Sequence, residues 1–184
     1  MRIVGGMHRG RTLVAPKGQS TRPTADKTRQ AMFNVLEHAA WSPGLEGRRA
    51  IDLFAGAGAL GLEALSRGAV FCLFVDTAET ARAAIRSNIE ALRLEDQARV
   101  DGRDAARLGA TPDRPFDLAF LDPPYGQGLA EPALAALAAE GWLAPDAMIV
   151  VERGADEAPL QAPGYEFLDA RTWGAARVAF LKAL

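Results

Sequence analysis

Ala50-Ile51-Asp52-Leu53-Phe54-Ala55-Gly56-Ala57-Gly58-Ala59-Leu60-Gly61 runs from an apolar stretch through three glycines into a helix-forming segment, residues 60–67. A short apolar run, broken by close glycines and followed at once by helical spacing, reads as strand, tight turn and helix in succession. Downstream the rhythm repeats. Strand-like runs at 70–75, 98–100, 116–121 and 148–151 alternate with helical segments at 78–92, 105–108 and 130–139. Such alternation requires crossover helices between parallel strands, so the expected fold is α/β: a doubly wound, Rossmann-like, mostly parallel seven-stranded sheet. After Val151 the pattern changes, and 165–170 and 177–181, joined through Trp173-Gly174, read as a closing antiparallel hairpin.

Ahead of this unit, Ile3-Val4 and Thr12-Leu13-Val14 read as a small hairpin with Arg9 and Arg11 near its turn, followed by a helix over residues 26–41. The division expected is an N-terminal extension, residues 1–45, and a catalytic unit, 46–184. Charge follows the same division: residues 1–30 hold seven Lys/Arg against the single acid Asp26, while the remainder carries an acidic excess and the whole chain a net charge of −2. A basic arm on a mildly acidic body suits contact with phosphates, and Arg2, Arg9, Arg11, Arg22, Lys27 and Arg29 are the candidate contacts.

Composition narrows the class. With 49% apolar residues in 184, the chain can bury a core without staples. No run reaches the roughly 20 apolar residues of a membrane span, and the start lacks a secretory h-region, so a cytoplasmic protein is expected. One cysteine, Cys72 in an apolar run, excludes an internal disulfide, and His8 and His38 lack zinc-ligand spacing, so no metal is expected.

Gly56-Ala57-Gly58-Ala59-Leu60-Gly61 fits the G-x-G-x-x-G loop, and Asp76 follows the first glycine by 20 residues at the end of the next strand. That is also the dinucleotide fingerprint. Asp52 separates the two readings, because a carboxylate near the loop disfavours a pyrophosphate and favours the ammonium and sulfonium of S-adenosylmethionine. Asp52, Phe54, Ala55, Gly56, Gly58 and Gly61 form the expected cofactor loop. Asp76 would accept from ribose hydroxyls, and Asp104, with Ala105, would receive the adenine amine; either aspartate could instead cap a helix.

Asp122-Pro123-Pro124-Tyr125 closes the apolar run 116–121. A ring-attached amine is a poor nucleophile, and accepting its two hydrogens on the Asp122 carboxylate and the Pro123 carbonyl aims its lone pair at a methyl group. Pro123 and Pro124 remove backbone donors, and Tyr125 offers a stacking plate for an unstacked base. The same tetrapeptide also suits an ordinary turn. Its place at the C-terminal edge of a parallel strand, where open α/β sheets bind ligands, favours the catalytic reading. Trp41, Trp142 and Trp173 read as core or loop anchors, and Glu152 as a strand-end acid without an assigned role.

Further residues carry a family resemblance: Arg2-Ile3-Val4-Gly5-Gly6, Arg9-Gly10-Arg11, Leu13, Arg22-Pro23-Thr24, Arg29, Phe33-Asn34, Leu36, and Gly58-Ala59-Leu60-Gly61-Leu62-Glu63-Ala64-Leu65-Ser66-Arg67. With these the chain resembles the class I S-adenosylmethionine-dependent methyltransferases, and within them the bacterial 16S rRNA guanine-N2 methyltransferases. The resemblance implies methylation of a guanine N2 amine in 16S rRNA, within the small ribosomal subunit or an assembly intermediate, by a monomer. An adenine-N6 methyltransferase acting on DNA or RNA also fits the tetrapeptide, and an NAD-dependent oxidoreductase fits the glycine loop.

Overall fold

The computed structural model describes residues 1–18, 25–112 and 114–184. Seven strands form one sheet: β1 (Arg49–Leu53), β2 (Phe71–Val75), β3 (Ala98–Asp101), β4 (Phe116–Leu121), β5 (Leu143–Gly154), β6 (Tyr165–Trp173) and β7 (Ala176–Ala183). Their order is β3-β2-β1-β4-β5-β7-β6, with β3 to β5 parallel and β7 antiparallel to both neighbours. The sheet reverses direction of growth between β1 and β4, which opens a crevice at the C-terminal ends of those strands.

Four α-helices cover the sheet: α1 (Ala25–His38), α2 (Ala59–Ser66), α3 (Glu79–Leu92) and α4 (Ala130–Ala138). Side chains alternate across a strand. One face of the central strands therefore presents Phe74, Phe120, Val150 and Phe180 to Phe33, Leu62 and Ile85 of the first three helices. The opposite face buries Leu53, Val75, Leu121 and Val151 with Leu134 of α4 and with Trp142. Among the described residues, no helix is long and apolar enough to cross a membrane.

Three elements differ from the sequence reading. Residues 105–108 form a turn, not a helix. Asp104 Oδ1 captures the Ala106 N–H at 2.9 Å, Arg103 Nη1 donates to the Leu108 carbonyl at 2.7 Å, and Gly109 takes φ +65°. The Asp104 bond is a helix-start cap and the Arg107 N–H closes one turn onto the Asp104 carbonyl at 2.9 Å, but capture of the Leu108 carbonyl and the positive φ of Gly109 end the segment there, too short to propagate. The N-terminal hairpin is reduced to one bridge, Arg2 with Thr12. Ile3 and Leu13 N–H still donate across it to the Arg11 and Met1 carbonyls, both at 3.0 Å, while other backbone groups bind the body: Val4 N–H donates to Glu63 at 2.9 Å, Met7 N–H to the Ser66 carbonyl at 2.7 Å, and Val14 N–H to Asn88 at 2.7 Å. Finally, β5 extends well beyond 148–151 because its register with β7 continues to Gly154.

Candidate active site

Strand register sets the first row of the site. Val75, Leu53, Leu121 and Val151 lie side by side on four neighbouring parallel strands. Of the residues that follow, Asp76, Asp122 and Glu152 emerge together at the C-terminal edge, on the face opposite to that row, whereas Phe54, at positive φ, turns back to pack against it. All four line one cleft of about 960 Å³, together with Asp52, Ala55, Gly56, Asp104, Ala105, Pro123, Pro124 and Tyr125. The glycine loop and the Asp-Pro-Pro-Tyr segment, 66 positions apart from Gly56 to Asp122, thus share a single cavity.

The loop is held in an open form. Phe54 ends β1 at φ +59°, an unusual conformation for a bulky residue, and Gly56 follows at φ +58°. A Cβ built on Gly56 would meet nothing within 4 Å, so its face is presented to open space. Asp76 braces the loop: Oδ2 accepts the Gly56 N–H at 2.9 Å and Oδ1 the Ala78 N–H at 2.9 Å. Each oxygen keeps a lone pair for a further donor. Asp104 accepts in the same way from Ala106 and is otherwise exposed.

Gly58 and Gly61 of the expected cofactor loop stand back from the cleft wall. Neither lines the cleft; both are buried beneath it. Gly58 starts α2 at φ +80°, and Gly61 lies so close to β2 that a Cβ there would sit 2.4 Å from Phe74 Cε1 and 2.6 Å from Cys72 Sγ. They let α2 pack directly on the sheet.

Asp52 reaches the cleft but is 1% exposed, with Oδ2 accepting the Gly61 N–H at 2.9 Å. Burial pushes its carboxyl up to about 8, against the lowering effect of that hydrogen bond and with a further push from Asp76. A carboxyl raised in this way holds its proton more tightly than an exposed one, and an incoming cation favours its ionisation.

At the other end, the Tyr125 hydroxyl donates to Glu152 Oε1 at 2.7 Å. The Tyr125 ring lies against Gly154, where a Cβ would come within 3.3 Å of Cδ2. Glu157 ties this loop to β5 by accepting the Gly126 and Gly154 N–H groups at 3.0 and 2.9 Å, and these bonds hold its carboxyl below the ordinary range. Sequence reasoning left Glu152 without a role and gave Trp173 an anchoring one; both lie in the cleft wall. Their positions follow from pairing of strands distant in sequence, which no local pattern shows.

The six basic candidates separate. Arg9, Arg11 and Lys27 are exposed, and Arg2 is exposed beside Asp26 at 3.4 Å. Arg11 also donates to the Ala91 carbonyl at 2.7 Å. Arg29 is 3% exposed but lines the cleft; it pairs with Asp26 at 2.8 Å and Glu63 at 3.5 Å and donates to the Arg2 carbonyl. A guanidinium so enclosed joins α1 to α2 and the N-terminal segment. Arg22, with Pro23 and Thr24, lies outside the described residues.

The chain is similar to known proteins over nearly its whole length. A family model described as conserved hypothetical protein 95 matches residues 1–182. The ribosomal RNA small subunit methyltransferase D of Escherichia coli K12 is 38% identical over 152 residues, covering 83% of this chain and 74% of that protein. YlbH of Bacillus subtilis, named as a candidate rRNA methyltransferase, is 37% identical over 186 residues, 99% of this chain and 98% of that protein. A solved structure from E. coli, the candidate methyltransferase yhhF, superposes with a TM-score of 0.84 at 30% identity, covering 100% of this chain and 97% of that one. Fold, cleft and similarity agree, and the chain belongs to the conserved hypothetical protein 95 family, with the small subunit methyltransferase D proteins among its relatives.

Proposed function

We propose that this protein transfers a methyl group from S-adenosylmethionine to the exocyclic N2 amine of a guanine in the 16S rRNA of the small ribosomal subunit. The observation that carries the reading is the single cleft in which the glycine loop and Asp122-Pro123-Pro124-Tyr125 face one another. The names of the relatives favour rRNA as the substrate class.

The residues present fit the methyl donor. Gly56, whose face is open, would let the amino-acid portion approach closely, Asp76, with lone pairs left beyond its Gly56 and Ala78 bonds, would accept from the ribose hydroxyls, and Asp104 would accept from the adenine amine. Asp52 gains charge on meeting a cation. When bound, S-adenosylmethionine supplies an electrophilic methyl group carried on a sulfonium. The chain supplies orientation: the Asp122 carboxylate and the Pro123 carbonyl accept the two amine hydrogens, and Tyr125 holds the plane of the base. No strong base precedes attack, since the methylated ammonium is acidic and sheds its proton afterwards.

The base must leave its stack to enter such a cleft. The exposed cations of the N-terminal segment, Arg2, Arg9, Arg11 and Lys27, would grip the surrounding phosphates. The test is a methyl-transfer assay with labelled donor on naked 16S rRNA, isolated small subunits and duplex DNA, followed by nucleoside identification. N2-methylguanosine from either rRNA substrate supports the proposal. N6-methyladenosine, or label in DNA alone, contradicts it.

A further inference from the structure

We infer that Glu152 selects guanine by accepting its N1–H, so that the amine delivered to Asp122 is a guanine N2. The inference rests on the proposed function and deepens it. Leu121 and Val151 are in register on adjacent parallel strands, so Asp122 and Glu152 leave the sheet edge as neighbours on one face, about 5 Å apart along the hydrogen-bonding direction. Both line the cleft, with Tyr125 and Trp173 in the same wall.

The chemistry of the two purines separates at the atom beside the reacting amine. In guanine the N2 amine is flanked by N1–H, a donor. In adenine the N6 amine is flanked by N1 without hydrogen, an acceptor. A carboxylate beside Asp122 makes a charge-assisted hydrogen bond to the first and meets the lone pair of the second. Glu152 is set for this. The Tyr125 hydroxyl is the one described group that donates to its side chain, and it occupies Oε1. That bond restrains the carboxylate through Oε1, and Glu152 lines the cleft with Oε2 still able to accept. The hydroxyl of Tyr125 thereby acquires a role distinct from its ring: it positions the selecting carboxylate.

Glu152→Gln is isosteric and can still accept from Tyr125, but then turns an amide donor toward N1–H. Tyr125→Phe keeps the ring and the carboxylate and removes the hydroxyl that holds Glu152 Oε1. On small subunits from cells lacking this enzyme, kcat/KM should fall roughly 10- to 100-fold for Glu152→Gln and less for Tyr125→Phe. Donor affinity by calorimetry and melting temperature should stay at wild-type values in both. Wild-type production of N2-methylguanosine with Glu152→Gln retaining kcat/KM within about twofold overturns the inference and leaves the proposed function standing. A parallel loss of donor affinity or melting temperature in Glu152→Gln overturns it too, because the carboxylate would then be structural. Wild-type production of N6-methyladenosine removes the proposed function itself, and this inference with it.

Discussion

An aspartate with 1% exposure at the end of a central strand is a proton-binding site before it is a charge. Burial raises the Asp52 carboxyl from 3.8 to about 8, so between those values the folded chain holds a proton that the unfolded chain releases. Its contribution to stability is full below 3.8 and is lost as pH rises through about 8. Asp52→Asn removes that dependence. Its melting temperature relative to wild type should climb steadily between about pH 5 and pH 8, while its affinity for S-adenosylmethionine falls. A flat difference across that range would show that Asp52 is ionised in the free protein. Composition and spacing revealed that an acid stands here. They could not reveal how its proton affinity is set, first by burial and then by the Gly61 amide and Asp76.

The packing of α2 on β2 depends on the absence of one side chain. A methyl at Gly61 would lie 2.4 Å from Phe74 and 2.6 Å from Cys72, both buried in the sheet. Gly61→Ala should therefore cost about 1–3 kcal/mol in urea unfolding, with no shift in the unfolding slope. Wild-type stability would mean that α2 can lift from the sheet without penalty. The strands and crossover helices were readable because their apolar periodicity is local, as in Phe116 to Leu121 and the 14 residues of α3. The division of labour among three glycines was not readable: Gly56 opens toward the cleft while Gly58 and Gly61 serve packing, a difference set by Phe74 and Ile85 on other elements. The burial of Arg29 was not readable for a similar reason, since its partner Glu63 is 34 positions away. The extent of β5, and with it the place of Glu152, came from pairing with β7.

Across the molecule, the N-terminal segment is built into the site. Asn88 donates both to the Val14 carbonyl at 3.0 Å and to the Ala57 carbonyl of the glycine loop at 2.9 Å, while Met1, Ala15 and Pro16 contribute to the cleft wall. The exposed Arg9 and Arg11 project from this anchored base. Reversing both charges should weaken RNA binding and lower the salt slope by roughly 1–2, with donor affinity unchanged. An unaltered slope would remove the arm from the phosphate contacts. The joining of two distant motifs in one cleft is tested most directly through Asp122→Ala, by titrating S-adenosylmethionine and measuring single-turnover methyl transfer on the same preparation. Donor affinity close to wild type with methyl transfer reduced at least about 1,000-fold is the expected result. Methyl transfer at the wild-type rate would contradict the placement of the target amine at Asp122.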